Sequence, residues 1–481
     1  MPDLHSAVRD FVERTVRPQV EAWDRADDLP DPVLRELVGL GVTGAMVPRD
    51  CGGGGLGMAE LAPVWRTLSH GWISLTGAIN PTGLATALLV RHGTAAQRQR
   101  WLPAIARGEL LASFSITEPQ AGSDLGRIET AAAPRAGGGL VLEGEKRWVA
   151  GGVSSDVIFL LAEIDGAPSC VVLPAEGRGG TGWEVGELDK VGYRGVESAA
   201  YRFASFQAPG AEVLGDAPGE GARQMLDALD VGRVNVACRG LGILDRCLAC
   251  AVEEATSREV GDGLLGTHTH AQLRVGELVV RQAAVSALLD RAAAAVDARA
   301  EDARELSTAA KVLASDSAVW AVDVAARLAA SRSYAAGDEL ARLRRDAPQT
   351  QIGEGANDAL LMALARPLLL TQRLRPCSKR GSPSSGIASQ SGAEETQVCH
   401  CGRMPGSPST QPSRTTTMSP PGRPPVTWPP HSPQKDFGRP PSGVHVRTAS
   451  SPAVKWKPSA STIAFSLQSA PVRRWQRLQW Q

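Results

Sequence analysis

The stretch Ser115-Ile116-Thr117-Glu118-Pro119-Gln120-Ala121-Gly122-Ser123-Asp124 gathers hydroxyls, acids, a proline turn and a glycine in ten residues. Short polar side chains and backbone N–H groups released from regular pairing suit a loop that holds a planar cofactor or an anion. The same composition also describes a plain surface turn. A second polar and aromatic cluster, Gly144-Glu145-Lys146-Arg147-Trp148-Val149-Ala150-Gly151-Gly152, follows. A third, Gln351-Ile352-Gly353-Glu354-Gly355-Ala356-Asn357, sets one acid between two glycines close to a final apolar helix. An acid there is favoured by the positive end of a helix whether or not it reacts.

The elements that must position these groups are read from periodicity. Leu4, Val8, Phe11, Val12 and Val16 recur at helical spacing, laying one apolar stripe on a helix. Asp31-Pro32 opens another, and helical patterns continue through 58–68, 85–90 and 95–106. Between about 111 and 209 the pattern changes to short β-branched or aromatic runs at 140–142, 156–164, 169–173 and 199–206, bounded by Gly, Pro and Ser. Helices return at 222–256, 272–300, 306–330 and 356–370. The order is helical, then β, then helical again, an α+β chain with expected segments 1–112, 113–215 and 216–370.

Beyond Thr371 the chain holds 17 of its 33 prolines and 15 basic against 3 acidic residues. It cannot bury enough apolar area to offset its ordering entropy, so 371–481 reads as a disordered tail, with the abruptness expected of a shifted reading frame. The rest carries 36 basic against 48 acidic residues, an acidic body with no electrostatic reason to bind nucleic acid. No apolar run reaches about 18 residues, so no membrane span is expected. The start lacks a basic and apolar leader, and the eight cysteines form no disulfide framework; both fit a cytoplasmic, metal-free protein. Cys247 and Cys250 read as buried thiols, and Cys399-His400-Cys401 lacks a second half-site. Gly39-Leu40-Gly41-Val42-Thr43-Gly44 satisfies a dinucleotide-binding pattern, but it follows helical spacing rather than a strand, so it reads as a helix end and turn.

ITEPxAGSD at 116–124 resembles the flavin-contacting signature of the acyl-CoA dehydrogenase family, and QIxEGxN at 351–357 resembles its base motif, preceded by LxRD at 343–346. The segment at 144–152 is similar to the family's GxKxWITN, with Ala150 where a hydroxyl is usual. Val191-Gly192-Tyr193-Arg194 is similar to the passage that closes its β domain. The resemblance spans residues 1–370. It implies an N-terminal helical domain, a middle β-barrel-like domain and a C-terminal helical bundle. It implies FAD held by Phe114, Ser115, Ile116, Thr117, Gly122, Ser123, Trp148, Val149, Ala150 and Arg258. It further implies a thioester met by Ser123, Arg194, Asp230, Arg233 and Gly355, and Glu354 as the base that removes its α proton. The implied partners are an acyl-CoA or acyl-carrier-protein thioester and an electron acceptor such as an electron-transfer flavoprotein, in a homotetramer or homodimer. The departures at Ala150 and at Ala330-Ser331-Arg332-Ser333-Tyr334, where the family carries a glycine loop, leave open two alternatives: a carrier-protein thioester oxidoreductase of the hydroxyacyl extender-unit type, or an inactive flavoprotein relative.

Overall fold

A computed structural model describes residues 3–371, side chains through 369; the expected disordered tail, but for its first residue, and Cys399-His400-Cys401 lie outside the described residues. Six α-helices come first: α1 (Leu4–Phe11), α2 (Val20–Ala26), α3 (Asp31–Gly39), α4 (Met58–Gly71), α5 (Ile73–His92) and α6 (Ala95–Ala106). A π-helical turn at Val12–Val16 continues α1, so its apolar stripe buries Val8, Phe11, Val12 and Val16 together. α3 ends at Gly39, and Gly41 turns the chain at φ 85°, so the glycine pattern there is a helix terminus. Helix α6 starts at a reciprocal cap. Thr94 Oγ1 accepts from the Gln97 N–H at 3.2 Å, and Gln97 Oε1 accepts from the Thr94 N–H at 3.1 Å. α5 is long and apolar enough to cross a membrane by length and composition, but 83% of that window is buried inside the protein, as in the core helix of a packed bundle.

Eight strands follow: β1 (Ala112–Ser115), β2 (Ala131–Pro134), β3 (Leu140–Ala150), β4 (Val157–Ile164), β5 (Ala167–Pro174), β6 (Trp183–Glu187), β7 (Ser198–Ala208) and β8 (Glu212–Val213). Their order is β6-β7-β3-β2-β4-β5-β8, with β1 parallel to β4. Strand β4 is buried along nearly its whole length, because helices pack on one face while the sheet's own core fills the other. One side of that core is aromatic: Trp183 meets Tyr201 edge-on at 5.4 Å and packs on Phe203 and Phe206. The other side of β4, through Val157, Phe159 and Leu161, shares a cluster with Leu84 and Leu88 of α5 and Trp101, Leu102 and Ile105 of α6.

The C-terminal helices are α7 (Gly221–Ser257), α8 (Thr269–Ala298), α9 (Ala303–Ala329), α10 (Glu339–Ile352) and α11 (Asn357–Thr371). The 37-residue α7 is buried through most of its length, since α4, α5, α8 and α9 all lie against it. Close approach to α9 requires a glycine: a Cβ at Gly240 would stand 2.8 Å from the backbone of Ala314. Strands β1, β2, β6 and β8 and helices α2 and α10 went unread from periodicity. β1 and β6 are only four and five residues long, and α10 buries Leu340, Leu343 and Ala347 amid charged residues.

Candidate active site

The loop after β1 is tied down from below. Glu118 is buried and its Oε1 receives Lys146 Nζ at 2.7 Å; the same ammonium donates to the Ile116 carbonyl at 3.0 Å. Glu118 also accepts the backbone N–H groups of Glu129 at 2.7 Å and Thr130 at 3.1 Å. Burial alone would raise its carboxyl; the Lys146 ammonium and these donors outweigh that and hold it below its ordinary value. Burial takes the Lys146 ammonium down to about 8 despite Glu118. The acid of the ITEP run is therefore the anchor of the loop, a role the motif alone did not disclose.

With the loop anchored, its polar groups stay available. Ser115 Oγ is buried without a hydrogen-bond partner among the described residues. Phe114, Ile116 and Thr117 are half-buried, and Gly122 and Ser123 are exposed. The Arg147 N–H donates to the Thr117 carbonyl at 2.8 Å, which sets the 144–152 strand beside the loop. There the register of β3 against β7 shifts between Lys146 and Val149, and Trp148 sits at φ 60°. A bulge of this kind re-aims one side chain: Val149 is fully buried while the Trp148 indole remains 56% exposed. Ala150 accepts Ser113 Oγ on its carbonyl at 2.9 Å and offers no hydroxyl of its own. An orphaned buried hydroxyl, an open indole and an exposed glycine turn fit a flat ligand with a polar edge. The residues present fit a flavin.

Glu354 occupies the turn between α10 and α11. It adopts φ 54°, and Gly355 follows at φ 102°. Two successive left-handed residues swing the chain so that, among the described residues, the Glu354 N–H has no backbone partner, and its carboxylate turns back toward α5 and α7. Asn80 Nδ2 of α5 donates to Glu354 Oε1 at 2.8 Å. On α7 a glycine leaves room beneath the acid: a Cβ at Gly232 would lie 2.8 Å from Glu354 Cδ, so the carboxylate would have to shift to admit one. Glu354 keeps some accessible surface although protein surrounds its carboxylate, as a group lining a cleft does. Burial pushes the carboxyl above its ordinary value; Arg239, the Asn80 amide, Arg233 and Lys311 pull downward without cancelling it.

Lys311 of α9 clamps this turn. Its Nζ donates to the carbonyls of Gln351 at 3.1 Å and Gly355 at 2.7 Å, and to Asn357 Oδ1 at 2.6 Å. Asn357 Nδ2 in turn donates to Ser315 Oγ at 3.0 Å and Asp316 Oδ1 at 2.8 Å. Replacing Lys311 with Met removes three bonds and a nearby positive charge. Turnover is expected to fall about tenfold or more as the acid loses its fixed orientation. The acid limb of kcat/KM should also move to higher pH, since Lys311 opposes the upward shift of Glu354. An unmoved limb would show that Lys311 does not act on the acid. Gly232→Ala is expected to displace the carboxylate and cost about 10²-fold in turnover, with cofactor absorbance retained; a fully active Gly232→Ala protein would contradict the close approach.

The other expected ligand residues divide. Arg233 lies on α7 within electrostatic reach of Glu354. The Asp230 carboxylate is held by Arg233 at 3.0 Å and Arg304 at 3.3 Å, so it braces Arg233. The Arg194 carbonyl accepts from Ser74 Oγ at 2.5 Å, and its buried Nε lacks a partner among the described residues. Arg258 is not brought to the cleft. It caps the far end of α7, donating to the Leu328 carbonyl at 2.8 Å, and 25 residues of helix place it roughly 38 Å from Arg233. Asn80, Gly232 and Lys311 were missed from sequence, for they carry no motif of their own. Burial takes the Cys250 thiol up to about 12 and the Cys247 thiol well above its usual value, as inert core thiols.

Family models describe three consecutive regions of the chain: the acyl-CoA dehydrogenase N-terminal domain at residues 3–109, middle domain at 113–206 and C-terminal domain at 219–369. Among similar proteins, (2S)-methylsuccinyl-CoA dehydrogenase of Cereibacter sphaeroides is 28% identical over 387 residues, covering 76% of this chain and 69% of that protein. Isobutyryl-CoA dehydrogenase of Dictyostelium discoideum is 27% identical over 370 residues, covering 76% and 88%. The solved butyryl-CoA dehydrogenase of Megasphaera elsdenii superposes with a TM-score of 0.71 at 26% identity, covering 76% of this chain and 97% of that one.

Proposed function

Since this chain belongs to the acyl-CoA dehydrogenase family, FAD-dependent oxidoreductases acting on CH–CH groups, we propose that Glu354 is the base that takes the proton α to the thioester carbonyl of a short acyl-CoA. The observation that carries this reading is the seating of Glu354. Its carboxylate is fixed by Asn80 over the Gly232 gap, its turn is clamped by Lys311, and its N–H is left without a backbone partner among the described residues.

A base must be oriented, and its pKa must lie near the working pH. Burial moves Glu354 in that direction. The unpaired N–H of the same residue is a donor for the thioester oxygen as negative charge develops there. Phe114, Ser115, Ile116, Thr117, Gly122, Ser123, Trp148, Val149 and Ala150 would hold FAD, with the Trp148 indole against the ring and Ser115 and Thr117 at its polar edge. When bound, FAD supplies the acceptor for the hydride that leaves the neighbouring carbon. Ser123, Arg194, Arg233 and Gly355 would meet the thioester and its carrier. A CoA carrier is favoured by the relatives, whose names specify CoA thioesters. Exposed Leu273, Val280 and Tyr334 on the C-terminal helices support self-association, and an electron-transfer flavoprotein fits as the oxidant. The test is anaerobic mixing of the FAD-loaded protein with a panel of acyl-CoA and acyl-carrier thioesters. Bleaching of the flavin by a short acyl-CoA is the expected result, and no bleaching by any thioester would overturn the reading.

A further inference from the structure

Arg239 is 2% exposed, and all of its hydrogen-bond partners are neutral. Its Nε donates to Asn235 Oδ1 at 2.8 Å, and its Nη1 to Tyr193 Oη at 2.8 Å and Gln349 Oε1 at 3.4 Å. Other buried arginines of the helical core have a carboxylate: Arg342 has Glu21 at 2.8 Å and Arg233 has Asp230 at 3.0 Å. Arg239 has no ion pair among the described residues. Its electrostatic partner is Glu354, whose carboxyl it pulls downward without a hydrogen bond; its own donors reach no anion, and a desolvated cation so placed gains when an anion is delivered to those donors.

Its position says where that anion would come from. Gly232, Asn235 and Arg239 stand at i, i+3 and i+7 on α7, one face of the helix. Gly232 is the residue against which Glu354 rests. The Arg239 side chain folds back onto Asn235, so the guanidinium lies about one turn, roughly 5 Å, along α7 from the acid. Beside it, Asn235 Nδ2 is buried with no partner among the described residues, and the Tyr193 hydroxyl closes the group. A long alkyl chain would find poor company among these donors; an oxyanion would find matched ones.

We propose that the acyl group of the substrate ends in a carboxylate received by Arg239 and Asn235 Nδ2, making the substrate a short dicarboxylic acyl thioester. This rests on Glu354 as the base, because the thioester α carbon must lie beside that residue for the tail to reach Arg239. The experiment compares butyryl-CoA with glutaryl-CoA, which adds one carboxylate to the same chain, using the full-length FAD-loaded protein. Wild-type protein is expected to favour glutaryl-CoA in kcat/KM by at least about tenfold, because donors built for an oxyanion are left unpaired by butyryl-CoA. Arg239→Gln is expected to collapse that ratio by at least about tenfold, with Arg239→Lys restoring part of it. A wild-type preference for butyryl-CoA overturns the proposal and needs no variant to fold. An Arg239→Gln protein that loses activity equally on both thioesters also overturns it, since Arg239 would then serve only Glu354 or the fold. If neither bleaches the flavin while another thioester of the panel does, this proposal falls and the base reading stands; if none does, both fall. If both are oxidised without preference, only the carboxylate site falls.

Discussion

Glu354→Gln should lower turnover by about 10²–10⁴-fold, the usual contribution of a positioned general base, while leaving FAD bound. The neutral amide still accepts from Asn80 Nδ2, so the turn keeps its seat, but it cannot take a proton. The pH profile follows from the direction of the shift. Burial raises the carboxyl above its ordinary value, and the base works only when ionised. The activity of the wild-type protein therefore rises with pH through a limb lying above the range of an ordinary glutamate, and that limb disappears in the variant. The same shift bears on stability with opposite sign. A carboxyl whose folded pKa is raised contributes stability below its unfolded pKa, and that contribution is lost as pH rises through the folded value. Glu354→Gln is thus expected to be at least as stable as wild type at neutral pH. Stopped-flow flavin reduction and denaturant titration measure the two effects. Reduction at an undiminished rate would remove Glu354 from the mechanism, and a clear loss of stability would show that its charge is welcome where it sits.

Glu118→Ala is expected to have the largest effect on the fold, about 3–5 kcal/mol, the range for breaking one partner out of a buried ion pair. Glu118 and Lys146 are both fully buried. Removing the acid strands the ammonium and leaves the Glu129 and Thr130 N–H groups without their acceptor. Because Lys146 also holds the Ile116 carbonyl, the cofactor loop should loosen and retained flavin should fall along with the unfolding midpoint. The double change Glu118→Gln with Lys146→Met removes the stranded charge and is expected to recover much of the loss. A loss below about 1 kcal/mol for Glu118→Ala, the worth of an exposed pair, would mean that the pair is not the anchor of this loop.

The motifs at 115–124 and 351–357 were legible because each is a local string whose backbone requirements show in its own composition. Gly355 beside Glu354 signals a left-handed turn, and the hydroxyls around Pro119 signal a polar loop. The helix–sheet–helix order was legible for the same reason, since periods of 3.6 and 2 are properties of neighbouring residues. Strand β1 and helix α10 escaped because one is too short and the other too charged for a period to stand out.

Long-range pairing decided the rest. Asn80 and Glu354 are 274 positions apart, and nothing near either residue announces the other. Glycine at 232 looks like a weak point in a helix until Glu354 is found resting on it. Asp230 and Arg233 were both expected to meet the ligand, with spacing favouring Arg233, and it is Arg304 from α9 that makes Asp230 a brace. Chain chemistry by itself determined which residues can react, because reactivity belongs to the side chain and its immediate backbone. Tertiary packing alone decided which of them are oriented, desolvated or neutralised, because burial and charge neighbours are set by segments that meet only when the chain has folded.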